Sequence, residues 1–301
     1  MAINLLEYGV KTANLLDQAF VPASAFGFLA TNPSKINFTG AKEVEVINID
    51  MSGLGDYDRS NGFPQGSLSE TRSLYQLAMD RGRTFSFDAV DEDEAGVKGA
   101  DYMALFQKKF VVPEVDAYTA SKLYYFASQA SNLTNVSLAV NNVIASLASA
   151  VDTAMEIGGD TEEYVIIVPR SVKTLIDTST EQTRYLNVGD FKKGNVNYKV
   201  SMINDVPIIP VTSKLMYSGF DFLNGVDAAQ YGGGFVVHSG AVPIQYIVMP
   251  KSAAAIITKT QKIRTFAANV NQQADAWKMD YRRCYDVIST LEQQKCIVAG
   301  Y

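Results

Sequence analysis

Two stretches of alternating sequence, separated by a polar connector, limit what this chain can fold into more than any other feature. In "AKEVEVINID" (41–50), Val44 and Val46 alternate with Glu43 and Glu45, the period-two signature of a half-buried strand. From Ile47 the parity slips by one, which predicts a bulge or a twist. The expected partner is "LYQLAMDRGRTFSFD" (74–88), with Leu77, Met79, Arg81, Arg83, Phe85 and Phe87 on one face and Ala78, Asp80, Thr84, Ser86 and Asp88 on the other. Between them lies "MSGLGDYDRSNGFPQGSLSETR", rich in Gly, Ser, Asp and Asn. At about 3.3 Å per residue, an arm of roughly twelve to eighteen residues projects about 40–60 Å. A lone two-stranded ribbon is marginal in water, so this one must lie on something. Arginines on the apolar face would be costly to desolvate without partners. Carboxylates of another subunit would satisfy Arg81 and Arg83, so the expected cover is a second copy of the chain.

The rest of the composition narrows the class. The chain has 301 residues, of which 47% are hydrophobic, enough for one large domain or two ordinary ones. Its net charge of −6 gives no overall basic footprint for nucleic acid. No apolar run approaches the ~18 residues of a membrane span, and "MAINLLEYGVKTANLLDQAF" lacks the basic-then-apolar pattern of a signal peptide. Cys284 and Cys296, the two cysteines, fall on what read as adjacent strands. Without an export signal they read as reduced packing residues and the compartment as cytosolic. The sequons at Asn37, Asn132 and Asn135 then carry no meaning.

Residues 1–36 read as an arm, apolar but punctuated by Pro22 and Pro33. The acidic cluster Asp91, Glu92, Asp93 and Glu94 suits a helix start, where carboxylates complement the helix dipole. Pro113 precedes a long helix over 114–130 with small residues on one stripe. Residues 138–157 keep the i, i+3, i+4, i+7 spacing of an amphipathic helix stopped by Gly158 and Gly159. "EYVIIVP" predicts a buried strand followed by a helix from Ser171. "YKVSMINDVPIIPV" (198–211) predicts two strands around an Asn-Asp turn, 232–250 two more, and the tail from Ala276 a closing hairpin. The fold class is α+β.

Chemistry-bearing constellations are scarce. His238, the only histidine, ends a β-run and reads as structural. There is no G-x-S-x-G nucleophile turn, no P-loop and no dinucleotide fingerprint. One His and two Cys are too few for a zinc site. Asp56 and Asp58 sit on a glycine-rich connector, poor support for a preorganised acid–base pair. "FKKGNVNYK" (191–199) and "MDYRRCY" (279–285) are local basic patches, read as solvated faces or subunit contacts. No catalytic, cofactor or metal residue is assigned.

The order of parts, together with "GAKEVEVINIDMSGLGDYDRSNGF" leading to "DRGRTFSFDAVDEDEA" (40–95) and "DAWKMDYRRCYDV" (275–287), resembles the major capsid protein of tailed bacteriophages. That resemblance implies the HK97-like capsid fold, which encapsulin shells share. It implies an N-terminal arm (1–37), an extended loop (38–88), a peripheral domain with a spine helix (89–137 and 241–301) and an axial domain (138–240). It further implies pentamers and hexamers closing an icosahedral shell around double-stranded DNA, assembled in the host cytoplasm and located in the virion. A separate scaffolding protein, a portal and a decoration protein would be partners, with only non-specific DNA contact. Expected inter-subunit contacts are Asp56, Asp58, Arg59, Phe63, Arg81, Arg83, Asp91, Glu92, Asp93 and Glu94. The rival expectations are an encapsulin-type nanocompartment, an acidic enzyme with a lid at 54–72, and a tail-tube component.

Overall fold

The computed structural model describes residues 24–30, 37–38, 40, 42–60, 62–88, 99–159, 161–179, 186–193, 196–266 and 276–301. The acidic cluster 91–94 and most of the arm lie outside these residues.

Helix α1 (Gly99–Phe106) runs through a wide π-turn at Gln107–Val111 into α2 (Val112–Gln129). The sequence places a helix start after Pro113, whereas the structure carries the helix through it. Proline cannot donate to the ladder and crowds the carbonyl four residues back. The wider turn immediately before it relieves both problems. On α2, Val115, Ala117, Ala120, Leu123 and Ala127 are buried, and the alanines let the helix close on a sheet.

The strands follow in chain order. β1 (Asn37–Phe38), β2 (Glu43–Met51) and β3 (Leu68–Gln76) form the ribbon. β4 (Met79–Asp88) leaves it. The short β5 (Leu133–Thr134) precedes helix α3 (Val143–Gly158), β6 (Tyr164–Pro169) and helix α4 (Arg170–Thr178). Then come β7 (Leu186–Lys193), β8 (Val196–Ile203), β9 (Val206–Val211), β10 (Phe220–Phe222), β11 (Phe235–Val237) and β12 (Tyr246–Pro250). β13 (Ala255–Phe266), β14 (Ala276–Ile288), the one-turn helix α5 (Leu291–Gln294) and β15 (Val298–Gly300) close the chain.

A seven-stranded sheet in the order β5-β15-β12-β6-β9-β8-β7 carries the main core. Its inner strands are covered on both sides. Val165, Ile167, Ile247 and Met249 meet α2 on one face, while Ile166, Val168, Ile208 and Val248 meet α3 and α4 on the other. This double cover is why "YVIIVP" is an unbroken apolar run. Asn204 and Asp205 make the tight β8–β9 turn at φ of 49° and 64°, a left-handed geometry that short Asx side chains tolerate.

Two strand assignments change. β4 pairs with β14 and not with β2, whose partner is β3, with Val44 opposite Tyr75 and Met51 opposite Leu68. The closing hairpin is β13–β14, after which α5 and β15 return to the large sheet. Cys284 and Cys296 are therefore not on adjacent strands; both are free thiols.

The described part of the N-terminal segment is pinned to α2. Buried Asp116 accepts from the Ser24 hydroxyl at 2.5 Å and from the Ala25 amide at 2.9 Å, and Phe26 and Leu29 enter the core. Bonds to a carboxylate are worth about 1.5–3 kcal/mol. Asp116→Ala is expected to speed proteolytic cleavage before Gly27 by tenfold or more, with the body intact on mass spectrometry; unchanged cleavage would contradict the anchoring role.

Candidate assembly surface

The ribbon changes face along its length. β2 and β3 keep one uninterrupted register from Glu43–Gln76 to Met51–Leu68, so the parity slip at Ile47 is neither a bulge nor a register shift. It marks where the apolar side changes over. At the root, Val44 is buried and Val46 and Tyr75 are half-buried against Leu77, Ile257, Cys284 and Ile288 of the body. On the opposite face, Leu74 at the root and Ile47, Met51 and Leu68 farther out are all exposed. Met51, Phe63 and Leu68 keep 69%, 86% and 72% of their surface, and Leu54 is fully exposed.

The tip is built, not slack. Ser52 and Ser67 clamp its base through paired hydroxyls at 2.6 Å and a backbone bond at 2.9 Å. Asp58 and Gly62 exchange backbone bonds of 3.2 and 2.7 Å, and the Asp58 carboxylate caps the Ser60 amide at 2.8 Å. Tyr57 and Phe63 pack with centroids 4.9 Å apart. Asp56, Asp58, Arg59 and Phe63 thus share one exposed tip. A cluster of exposed apolar side chains on a marginal ribbon makes this tip the candidate interaction surface.

Arg81 and Arg83 are elsewhere, and groups of their own chain satisfy them, so desolvation alone does not require a neighbour's carboxylates there. On β4, Arg81 makes a forked pair with Glu114 of α2 at 2.8 and 3.2 Å and donates to the Leu223 and Gly234 carbonyls. Arg83 donates to the Gly225 and Tyr231 carbonyls at 3.3 and 3.2 Å, with its guanidinium 5.7 Å from the Tyr231 ring. The loop 223–234 is thereby fastened onto β4 and α2. Gly225, at φ +71°, permits this approach, because a Cβ there would lie 2.7 Å from the Arg83 Nη1.

Beside this clasp, Asp80 binds Arg282 at 2.8–2.9 Å and Lys42 at 3.0 Å. The Arg282 guanidinium holds its carboxyl well below the usual carboxylate range, with Lys42 adding to the effect. A depressed folded-state value contributes stability above the unfolded pKa near ~4 that is lost as pH falls below it. Both cations are solvent-exposed, so screening keeps the contribution small. The melting difference between wild type and Asp80→Asn is expected to be constant from pH 5 to 8 and to shrink below about pH 4; a difference that grows in acid would contradict the pairing. His238 lies outside this region, its Nδ1 bonded to exposed Asp221 at 2.9 Å. Among the described residues no three metal-ligating side chains converge.

The sequence matches no family model and no curated protein. The fold does match solved structures. The capsid of cyanophage P-SCSP1u superposes with a TM-score of 0.60 at 11% identity, over 88% of this chain and 84% of that one. The head of Helicobacter pylori bacteriophage KHP40 gives 0.58 at 12% identity, over 92% and 90%. A virus-like particle from Pyrococcus furiosus gives 0.58 at 8% identity, over 98% and 100%. The chain therefore has the HK97-like capsid fold, an α+β architecture.

Proposed function

We propose that the chain is the major capsid protein of a tailed bacteriophage, a structural subunit and not an enzyme, whose copies close an icosahedral shell around DNA. The observation that carries this reading is the ribbon: nine-residue strands ending in exposed Met51, Leu54, Phe63 and Leu68, on a fold shared with phage heads. A second copy is the occupant because every subunit supplies the same ribbon and the same body, so one contact repeats around a closed ring. Asp56, Asp58, Arg59 and Phe63 are proposed as contacts to the neighbouring body. Residues 43–76 form the reaching loop, 138–240 the axial part, and α1–α2 with β13–β14 the peripheral part. A separate scaffolding protein, a portal and a decoration protein complete the proposed assembly, which forms in the host cytoplasm.

The lid reading fits poorly: clefts of about 370, 740 and 330 Å³ take no lining from residues 51–72. An encapsulin-type nanocompartment is the second reading, supported by full-length overlap with the Pyrococcus particle. Electron microscopy of the purified chain, alone and with a co-expressed scaffold, tests the proposal. Closed shells are expected, and particles filled with nucleic acid favour the phage head over the cargo compartment. A monodisperse monomer under both conditions would refute both.

A further inference from the structure

The face of the β13-β14-β4 sheet turned away from α1 has two halves. Met279, Tyr281 and Ile263 point to the α1 side, where Met103 and Phe106 cover them. On the opposite face, the end nearest the ribbon root is apolar, and Val44 and Leu77 cover Ile257, Cys284 and Ile288. The other end is cationic. Lys262 stands opposite Arg282, Arg264 opposite Asp280, and Phe266 opposite Lys278. With Lys42, five cations share this face with Asp80, Asp280 and, by its register at the end of β4, Asp88, an excess of two positive charges in a chain whose net charge is −6. Asp80 is already shared by Lys42 and Arg282, and Asp280 accepts from the Thr84 hydroxyl at 2.8 Å. Among the described residues, no carboxylate comes within 4.0 Å of Lys262, Arg264 or Lys278.

We propose that this face binds the phosphate backbone of nucleic acid, without reading sequence. Charge complementarity identifies the occupant, and the layout separates nucleic acid from an acidic peptide. Lys262 and Arg264 are about 6.7 Å apart along β13, and neighbouring strands are about 4.8 Å apart. The result is a grid of cationic donors across one face of the sheet. Phosphate contacts need only cations and hydroxyl or amide donors. Peptide recognition needs a strand edge or an apolar anchor pocket. Here the cations stand on the face of the sheet and not along the backbone edges of β13 and β4, and Phe266, at this end, is half-buried beneath the Lys278 ammonium at 5.9 Å. The inference rests on these charges and not on the shell reading.

The test is fluorescence anisotropy with a labelled 20-base-pair duplex and unassembled protein between 50 and 200 mM salt. Three or four phosphate contacts give a log–log slope near −3, an affinity loss of about 60-fold over that range. Lys262→Gln with Arg264→Gln, both exposed, is expected to weaken binding at least tenfold and flatten the slope by about two. Lys278→Gln alone should flatten it by about one, with both variants checked for folding by circular dichroism. A ribbon variant, Leu54→Asp, is expected to bind DNA normally whether or not it assembles, which separates this inference from the proposed function. No binding at 50 mM salt, or equal binding by the charge variants, overturns the proposal. Polyglutamate displacing the duplex at lower charge concentration than competitor DNA also overturns it and assigns the face to an acidic polypeptide.

Discussion

Replacing Met51, Leu54 and Phe63 together with aspartate is expected to leave the subunit folded and abolish assembly. In the isolated chain these side chains are already in water, so removing them costs the monomer almost nothing. In the proposed assembly a second copy covers them. Each buried apolar side chain of this size contributes about 1.5–3 kcal/mol, so three lost per copy weaken each contact by roughly 5 kcal/mol or more, a factor of about 10³–10⁴. Thermal melting followed by circular dichroism should shift by less than about 2 °C, while light scattering should show no shells at concentrations where the wild type assembles fully. Normal shells from this variant would remove the ribbon from the assembly contact. A large melting shift would show that the ribbon packs on its own body.

Arg81→Met is expected to have the opposite profile and to destabilise the subunit itself. The Arg81 and Glu114 side chains keep 24% and 13% of their surface, and removing one partner of such a pair leaves the other charge desolvated, at about 3–5 kcal/mol. The Leu223 and Gly234 carbonyls lose their donor as well. In a chain of this size the melting temperature should fall by about 10 °C. Pairing Arg81→Met with Glu114→Met should recover a substantial part of that loss, because the stranded carboxylate goes too. A variant that melts like the wild type yet does not assemble would return Arg81 to the interface between subunits.

The two variants separate what the sequence makes legible from what it does not. Local patterns held where local physics decides them. "YVIIVP" is a doubly covered strand, the pattern over 138–157 gives an amphipathic helix that starts five residues later than expected, at Val143, and Asn204-Asp205 is a turn, because periodicity and turn chemistry encode each within a few residues. Strand partners were not legible. Met79–Asp88 alternates just as a ribbon strand would, and nothing local says that Ala276–Ile288, some two hundred residues away, outcompetes Glu43–Met51 for it. The same limit hid the partners that Arg81 and Arg83 have within the chain, because Glu114, Leu223 and Gly225 come from distant segments. The parity slip at Ile47 was visible, but its cause was not. A pattern of period two says which residues share a face and not which face meets the body. The exposure of Met51, Leu54, Leu68 and Leu74 was accordingly not anticipated, although Ile47, Ile49 and Met51 alternating into a Gly- and Ser-rich turn were a signal of a second apolar face.

Hydrogen exchange across residues 43–76, compared between dissociated subunits and assembled particles of the same protein, bears most directly on whether a second copy covers the ribbon. Exchange over Met51–Leu68 should slow by at least a hundredfold on assembly while α2 changes little, since α2 is already buried in the single chain. Equal exchange in the two states, with the ribbon still open to water inside a closed particle, would contradict the account.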